Sequence, residues 1–147
     1  MRTTTFKRRR NHPPEVVWHF LADLRNDVTW RGEVIRVELA AGAPYIAGAT
    51  YLEHVEWEGI EAEASLVVTE VVDGSRLVVV ADDPSYRSVF TWQFIGDSSG
   101  TDLLLEMTLE ASGTMRLVEP FLWAILNRWL ERDLETLDEM IDSDSAA

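Results

Sequence analysis

Near the C-terminus, Trp123, Leu126, Leu130, Leu134, Leu137 and Ile141 recur at the spacing of one helical face, a period of about 3.6 residues, while Arg128, Glu131, Arg132, Glu135, Asp138 and Glu139 fall on other faces. This pattern predicts a single long amphipathic helix over Leu117–Ile141. It follows a long run of strand signals, so the apolar stripe has a sheet to cover. One helix laid across a strongly bent antiparallel sheet seldom fills the concavity, and the space it leaves is where function is to be sought.

Upstream, the chain reads as an ordered series of short elements. Thr3–Arg10 is a Thr-rich first strand anchored by Phe6, and Pro13-Pro14 ends it because proline donates nothing to a ladder. Pro14 can instead open a helix through Asp23, with a second helical turn at Asn26–Trp30. From Glu33 onward the period shortens towards two, predicting strands at Val34–Ala40, Thr50–Trp57, Ile60–Val72, Leu77–Ala81, Tyr86–Ile95 and Asp102–Ser112. Turn chemistry separates them: Gly42-Ala43-Pro44, Glu58-Gly59, Asp73-Gly74, Asp82-Asp83-Pro84 and Gly96–Gly100.

Composition narrows the classes of function. A chain of 147 residues with 46% hydrophobic content supports one domain with a sizeable core, expected over residues 1–141, with 142–147 as a disordered polar tail. Thirteen Lys plus Arg against 26 Asp plus Glu leave a net charge of −13, which repels phosphate backbones, so nucleic acid is not expected as a partner. No cysteine is present, which excludes disulfides, thiolate nucleophiles and cysteine-based zinc sites and fits a cytoplasmic location. His12, His19 and His54 are too scattered for a metal motif, and neither a metal nor a cofactor is expected. Lys7-Arg8-Arg9-Arg10 is followed by Asn11-His12-Pro13-Pro14 where a signal peptide would be apolar, and no run is long enough for stable membrane insertion.

Pro13-Pro14-Glu15-Val16-Val17-Trp18, then Ala22-Asp23-Leu24 and Trp30, Gly48, Gly100-Thr101, Gly113 and Leu134-Glu135-Thr136-Leu137 together resemble the START-related helix-grip superfamily, in its polyketide cyclase/dehydrase (SRPBCC) branch. The resemblance implies an α+β helix-grip fold: a curved antiparallel sheet of seven strands wrapped around the C-terminal helix, with two short helices after the first strand. It fixes a scaffold rather than a ligand, since this superfamily binds lipids, hormones, aromatic polyketides and client proteins. Arg10 and His12 depart from the family pattern. Cross-strand pairing of the basic run with Asp102, Glu106 and Glu110 of the last strand is the expected explanation.

Parity assigns the inner face. Phe90, Trp92 and Phe94 alternate with polar neighbours, as do Leu103, Leu105, Met107, Leu109 and Ala111. Ile60, Ala62, Ala64, Leu66 and Val68 share a face whose small members either let the helix approach or leave room for a ligand, and sequence alone does not choose between these. Six tryptophans suit either a core or the wall of an aromatic-binding chamber. The candidate wall is Trp30, Tyr51, Trp57, Phe90, Trp92, Met107, Phe121 and Trp123, whereas Trp18, on the first helix, and Trp129, off the main stripe of the last, read as structural. The candidate polar or rim groups are Glu53, His54, Tyr86 and Arg87. Alternation turns Glu53 inward and His54 outward.

Three functions stay open from this reading. One is the carrying or sensing of a small hydrophobic molecule, such as a lipid, an isoprenoid or an aromatic metabolite, by a monomer or homodimer. Another is a cyclase or dehydratase acting on a polyketide-type substrate, which needs convergent polar groups inside the chamber. A third is a protein-binding module using the outer sheet or the groove beside the helix. The first is preferred, because no Ser–His–acid or paired-carboxylate constellation emerges from spacing, and catalytic residues are left unassigned.

Overall fold

The computed structural model describes residues 1–146, with side chains through Asp142. The chain runs β1 (Arg2–Arg10), α1 (Pro14–Leu21), a 3₁₀ turn (Leu24–Asn26), α2 (Asp27–Trp30), β2 (Val34–Ala41), β3 (Thr50–Trp57), β4 (Ile60–Val72), β5 (Arg76–Asp83), β6 (Tyr86–Asp97), β7 (Gly100–Ala111), a second 3₁₀ turn (Gly113–Leu117) and α3 (Glu119–Ala146). Ala147, the end of the expected tail, lies outside the described residues.

The seven strands form a single antiparallel sheet in the order β1-β7-β6-β5-β4-β3-β2. β1 thus pairs with β7 rather than with β2, and α1 and α2 bridge the two edges of the sheet. Register shifts at Val34/Arg36, Leu39/Ala41 and Val68/Glu70 interrupt the ladders, and such bulges bend a strand and raise its twist. The predicted parity holds on β7, where Leu103, Leu105, Met107, Leu109 and Ala111 are all buried.

Leu130, Leu134, Leu137 and Ile141 of α3 are buried against that face, together with Val17, Phe20 and Leu21 of α1. One boundary moved. Leu117, expected to begin the long helix, ends the 3₁₀ turn and is 81% exposed, while α3 starts at Glu119. Pro120 fits there because the N–H it lacks has no intrahelical partner in a first turn. At the other end of the sheet, Pro14 seats against Gly96 of β6, where any Cβ would collide with the proline ring.

The basic run divides between two roles. Arg9 pairs with Asp102 at 3.1 Å, as expected, and with Asp97 at 2.7 Å, but Glu106 stands opposite Thr5 and takes no part. Arg10 is buried and turns towards the helix instead, donating from Nη2 to the Leu134 carbonyl at 2.9 Å with Asp138 at 3.6 Å. Burial lowers its pKa, and the hydrogen bond ties β1 to α3.

Candidate functional site

On the concave face, the inward positions of the middle strands are unequal in size. β6 presents Tyr86, Ser88 and Phe90 in succession, β5 presents Ala81, which pairs with Ser88, and β4 presents Ala64, which pairs with Glu53 of β3. Two alanines between bulkier neighbours leave the sheet locally thin. The space above them is a cavity of about 220 Å³. Val55, Leu66 and Phe90 complete its apolar floor, and Met115, Leu122, Leu126 and Trp129 close it from the second 3₁₀ turn and α3. The question left open by the small residues of β4 is thereby answered for Ala64, which borders empty space rather than a close helix contact.

One end of the cavity is charged. Arg31, directly after α2, directs Nε and Nη2 to Glu33 Oε1 at 3.1 and 2.9 Å, and Nη1 to Glu53 at 3.1 and 3.3 Å. Asp27, one helical turn earlier, lies 3.8 Å from Nη1. Behind Glu33, Arg132 of α3 donates to Glu33 Oε2 at 3.1 Å and to Asp133 Oδ1 at 3.0 Å, and the Gly32 N–H also donates to Asp133 at 3.1 Å. Asp27, Glu33, Glu53 and Asp133 are all buried.

Burial pushes Asp27 well above the usual carboxylate range, with Arg31 opposing and the Glu53 charge reinforcing the shift. Burial also raises Asp133, to about 6, and the adjoining Glu33 carboxyl adds to the rise. Glu33 goes the other way: burial would raise it, but Arg31 and the contact with Asp133 hold it below its ordinary value. Of these two carboxyls, Asp133 is therefore the one that keeps its proton longer as pH rises. Arg31 stays charged, since its carboxylate partners outweigh the burial that would lower it.

The structure distributes the sequence candidates widely. Phe90, Glu53 and Tyr86 border the cavity. Trp30 and Trp92 line a smaller void of about 30 Å³ that adjoins it through Arg31, Leu66 and Phe90, and their rings meet edge-on at 6.1 Å. Tyr51 and Met107 are fully buried in the packed core, and burial with the Asp23 charge pushes the Tyr51 phenol up to about 12. Trp123 is partly buried against that core, and Phe121 is 72% exposed. Trp57 sits at the end of β3, edge-on to Trp129 at 6.1 Å. His54 lies on the outer face, 3.1 Å from Arg36 and 3.4 Å from Glu63, and Arg87 is exposed opposite Glu110.

Sequence reasoning missed Arg31, Glu33, Asp27 and Asp133, and it placed Trp129 outside the wall. Faint signals existed: Asp27 and Arg31 stand one helical turn apart, and Glu53 has inward parity with no cation on its own strand.

Residues 11–137 match the model of the family described as polyketide cyclase/dehydrase and lipid transport. The chain belongs to that family. Solved structures share the fold of this family member across nearly its whole length. TTHA0849 from Thermus thermophilus is 20% identical with a TM-score of 0.81, covering 98% of this chain and 99% of its own. A START superfamily protein from Mycobacterium smegmatis is 11% identical with a TM-score of 0.79, covering 96% and 97%. The Zhui aromatase/cyclase from a Streptomyces species is 17% identical with a TM-score of 0.78, covering 96% and 93%. No curated protein matches the chain in sequence.

Proposed function

We propose that this member of the polyketide cyclase/dehydrase and lipid transport family carries or senses a small hydrophobic molecule in the cavity between the sheet and α3. The observation that carries the reading is a largely apolar chamber of about 220 Å³ whose charged groups, Arg31, Glu33 and Glu53, stand together. Such a shape places the greater part of a ligand against Phe90, Leu122, Leu126 and Trp129, while the polar end fixes its direction. Native mass spectrometry of freshly purified protein tests the proposal. A complex with a copurified small molecule, lost in a variant whose cavity is filled by Ala64→Leu, is expected. An adduct retained unchanged by that variant places the ligand elsewhere and contradicts the reading.

One observation favours a cyclase-like reading as the second choice. Tyr86 and Ser88 bring hydroxyls into the same chamber as the Glu53 carboxylate, so groups able to move a proton converge where a bound chain would lie. On that reading, Tyr86→Phe abolishes product formation from a polyketide-type substrate while binding persists. A Tyr86→Phe enzyme with undiminished turnover excludes the phenol from catalysis.

A further inference from the structure

The polar end of the cavity is built to accept hydrogen bonds rather than to offer positive charge. Arg31 is the cation that borders it, and its guanidinium is already occupied, with Nε and Nη2 on Glu33 and Nη1 on Glu53 beside Asp27. Glu53 is the converse. Both its oxygens take their contact from the single Nη1 of Arg31, although a carboxylate can accept about four hydrogen bonds, so accepting capacity remains on a 3%-exposed side chain that borders empty space.

Ser88 supplies an independent observation. It is 3% exposed, lines the cavity, and its hydroxyl has no hydrogen-bond partner among the described residues. A hydroxyl that faces the cavity with no protein partner is left for a ligand or water to complete. The Tyr86 phenol borders the same space and likewise has no partner among the described residues. Burial, Asp83 and then the Glu53 charge raise its pKa, so it stays a neutral hydroxyl.

Resting on the reading of the cavity as a ligand site, the geometry points to a ligand whose polar head is an amine or a hydroxyl that donates to Glu53 and Ser88, with carboxylates excluded. An incoming carboxylate finds the Arg31 guanidinium already engaged through all three of its nitrogens by Glu33 and Glu53, and it meets the charges of those two residues in a poorly screened interior. A donor head meets acceptors on β3 and β6 while its apolar body lies along Phe90 and Trp129.

Calorimetric titration with 2-methylnaphthalene, 2-naphthylmethanol, 2-naphthylmethylamine and 2-naphthoate tests this on one aromatic body. The alcohol and the amine are expected to bind at least tenfold more tightly than 2-naphthoate. Ser88→Ala should lower affinity for the alcohol at least fivefold relative to 2-methylnaphthalene. Glu53→Gln should do the same for the amine, provided its circular dichroism spectrum remains native, and Ser88→Ala decides the matter if that variant fails to fold. Binding of 2-naphthoate equal to or tighter than that of the alcohol and amine overturns the inference while leaving the cavity reading intact. If none of the four compounds binds, the cavity reading fails and the inference falls with it.

Discussion

Asp133→Asn should make the protein more stable at neutral pH and leave it unchanged in acid. Asp133 is 1% exposed, and its Oδ1 accepts from Gly32 and Arg132, functions that an asparagine carbonyl oxygen retains. An asparagine stands in for the protonated carboxyl without being able to ionise. In the wild type, burial raises the carboxyl from its ordinary 3.8 to about 6. A carboxyl raised on folding keeps its proton longer in the native state than in the unfolded chain, so stability is present at low pH and is lost as pH climbs from about 4 through 6. At about 1.4 kcal/mol for each tenfold change in proton affinity, the loss approaches 3 kcal/mol. The opposing effect of Arg132 is already contained in that net shift. Asp133→Asn is thus expected to gain about 3 kcal/mol at pH 7.5, or about 6–12 °C in Tm for a domain of this size.

The two proteins should melt together near pH 4. Glu33, held below its ordinary value, has the opposite sign: its contribution is present above the unfolded value and is lost as pH falls through the folded one. Asp27 loses stability with rising pH in both proteins and cancels in the difference. Thermal melts by circular dichroism between pH 4 and 8 provide the assay. A variant less stable than wild type at pH 7.5, or a difference that does not change with pH, would refute the raised proton affinity of Asp133.

Arg31→Met should cost about 3–5 kcal/mol by leaving Glu53 buried without a cation and Glu33 with Arg132 alone, and a stability within 1 kcal/mol of wild type in denaturant unfolding would show that the cluster is hydrated instead. Leu134→Ala removes a fully buried contact between α3 and the sheet and should cost about 2–5 kcal/mol in urea unfolding, so a loss below 1 kcal/mol would mean that α3 is loosely docked. Gly96→Ala forces a methyl group into the Pro14 ring and should cost about 1–3 kcal/mol through displacement of α1, a contact that an unchanged melting curve would disprove.

The scaffold was legible because its signals are periodic. Alternation on β6 and β7 gave the inner face, and the spacing of Leu130, Leu134, Leu137 and Ile141 gave the face of α3 that meets it. Parity reports the face on which a side chain stands but not its depth along the strand. Tyr51 and Met107 therefore passed for wall residues although they lie where the core is filled, whereas Tyr86 and Ser88 stand where Ala64 and Ala81 leave room. Trp129 was misplaced because a helix gripped by a concave sheet is covered over a wider arc than one stripe. The Arg31–Glu33 segment read as a polar turn, since charges are rarely buried unless paired and the pairing partners, Glu53 and Arg132, come from distant parts of the chain. No local pattern announces a contact of that kind.

The central claim is that the space above Ala64 is where a hydrophobic ligand lies. Calorimetric titration of 2-methylnaphthalene into the wild type and into Ala64→Leu, with the melting temperature of each recorded, addresses it directly. The larger side chain enters space that is empty, so the variant should melt at the same temperature or higher while binding at least tenfold more weakly. Equal affinity in a fully folded Ala64→Leu protein would contradict the account.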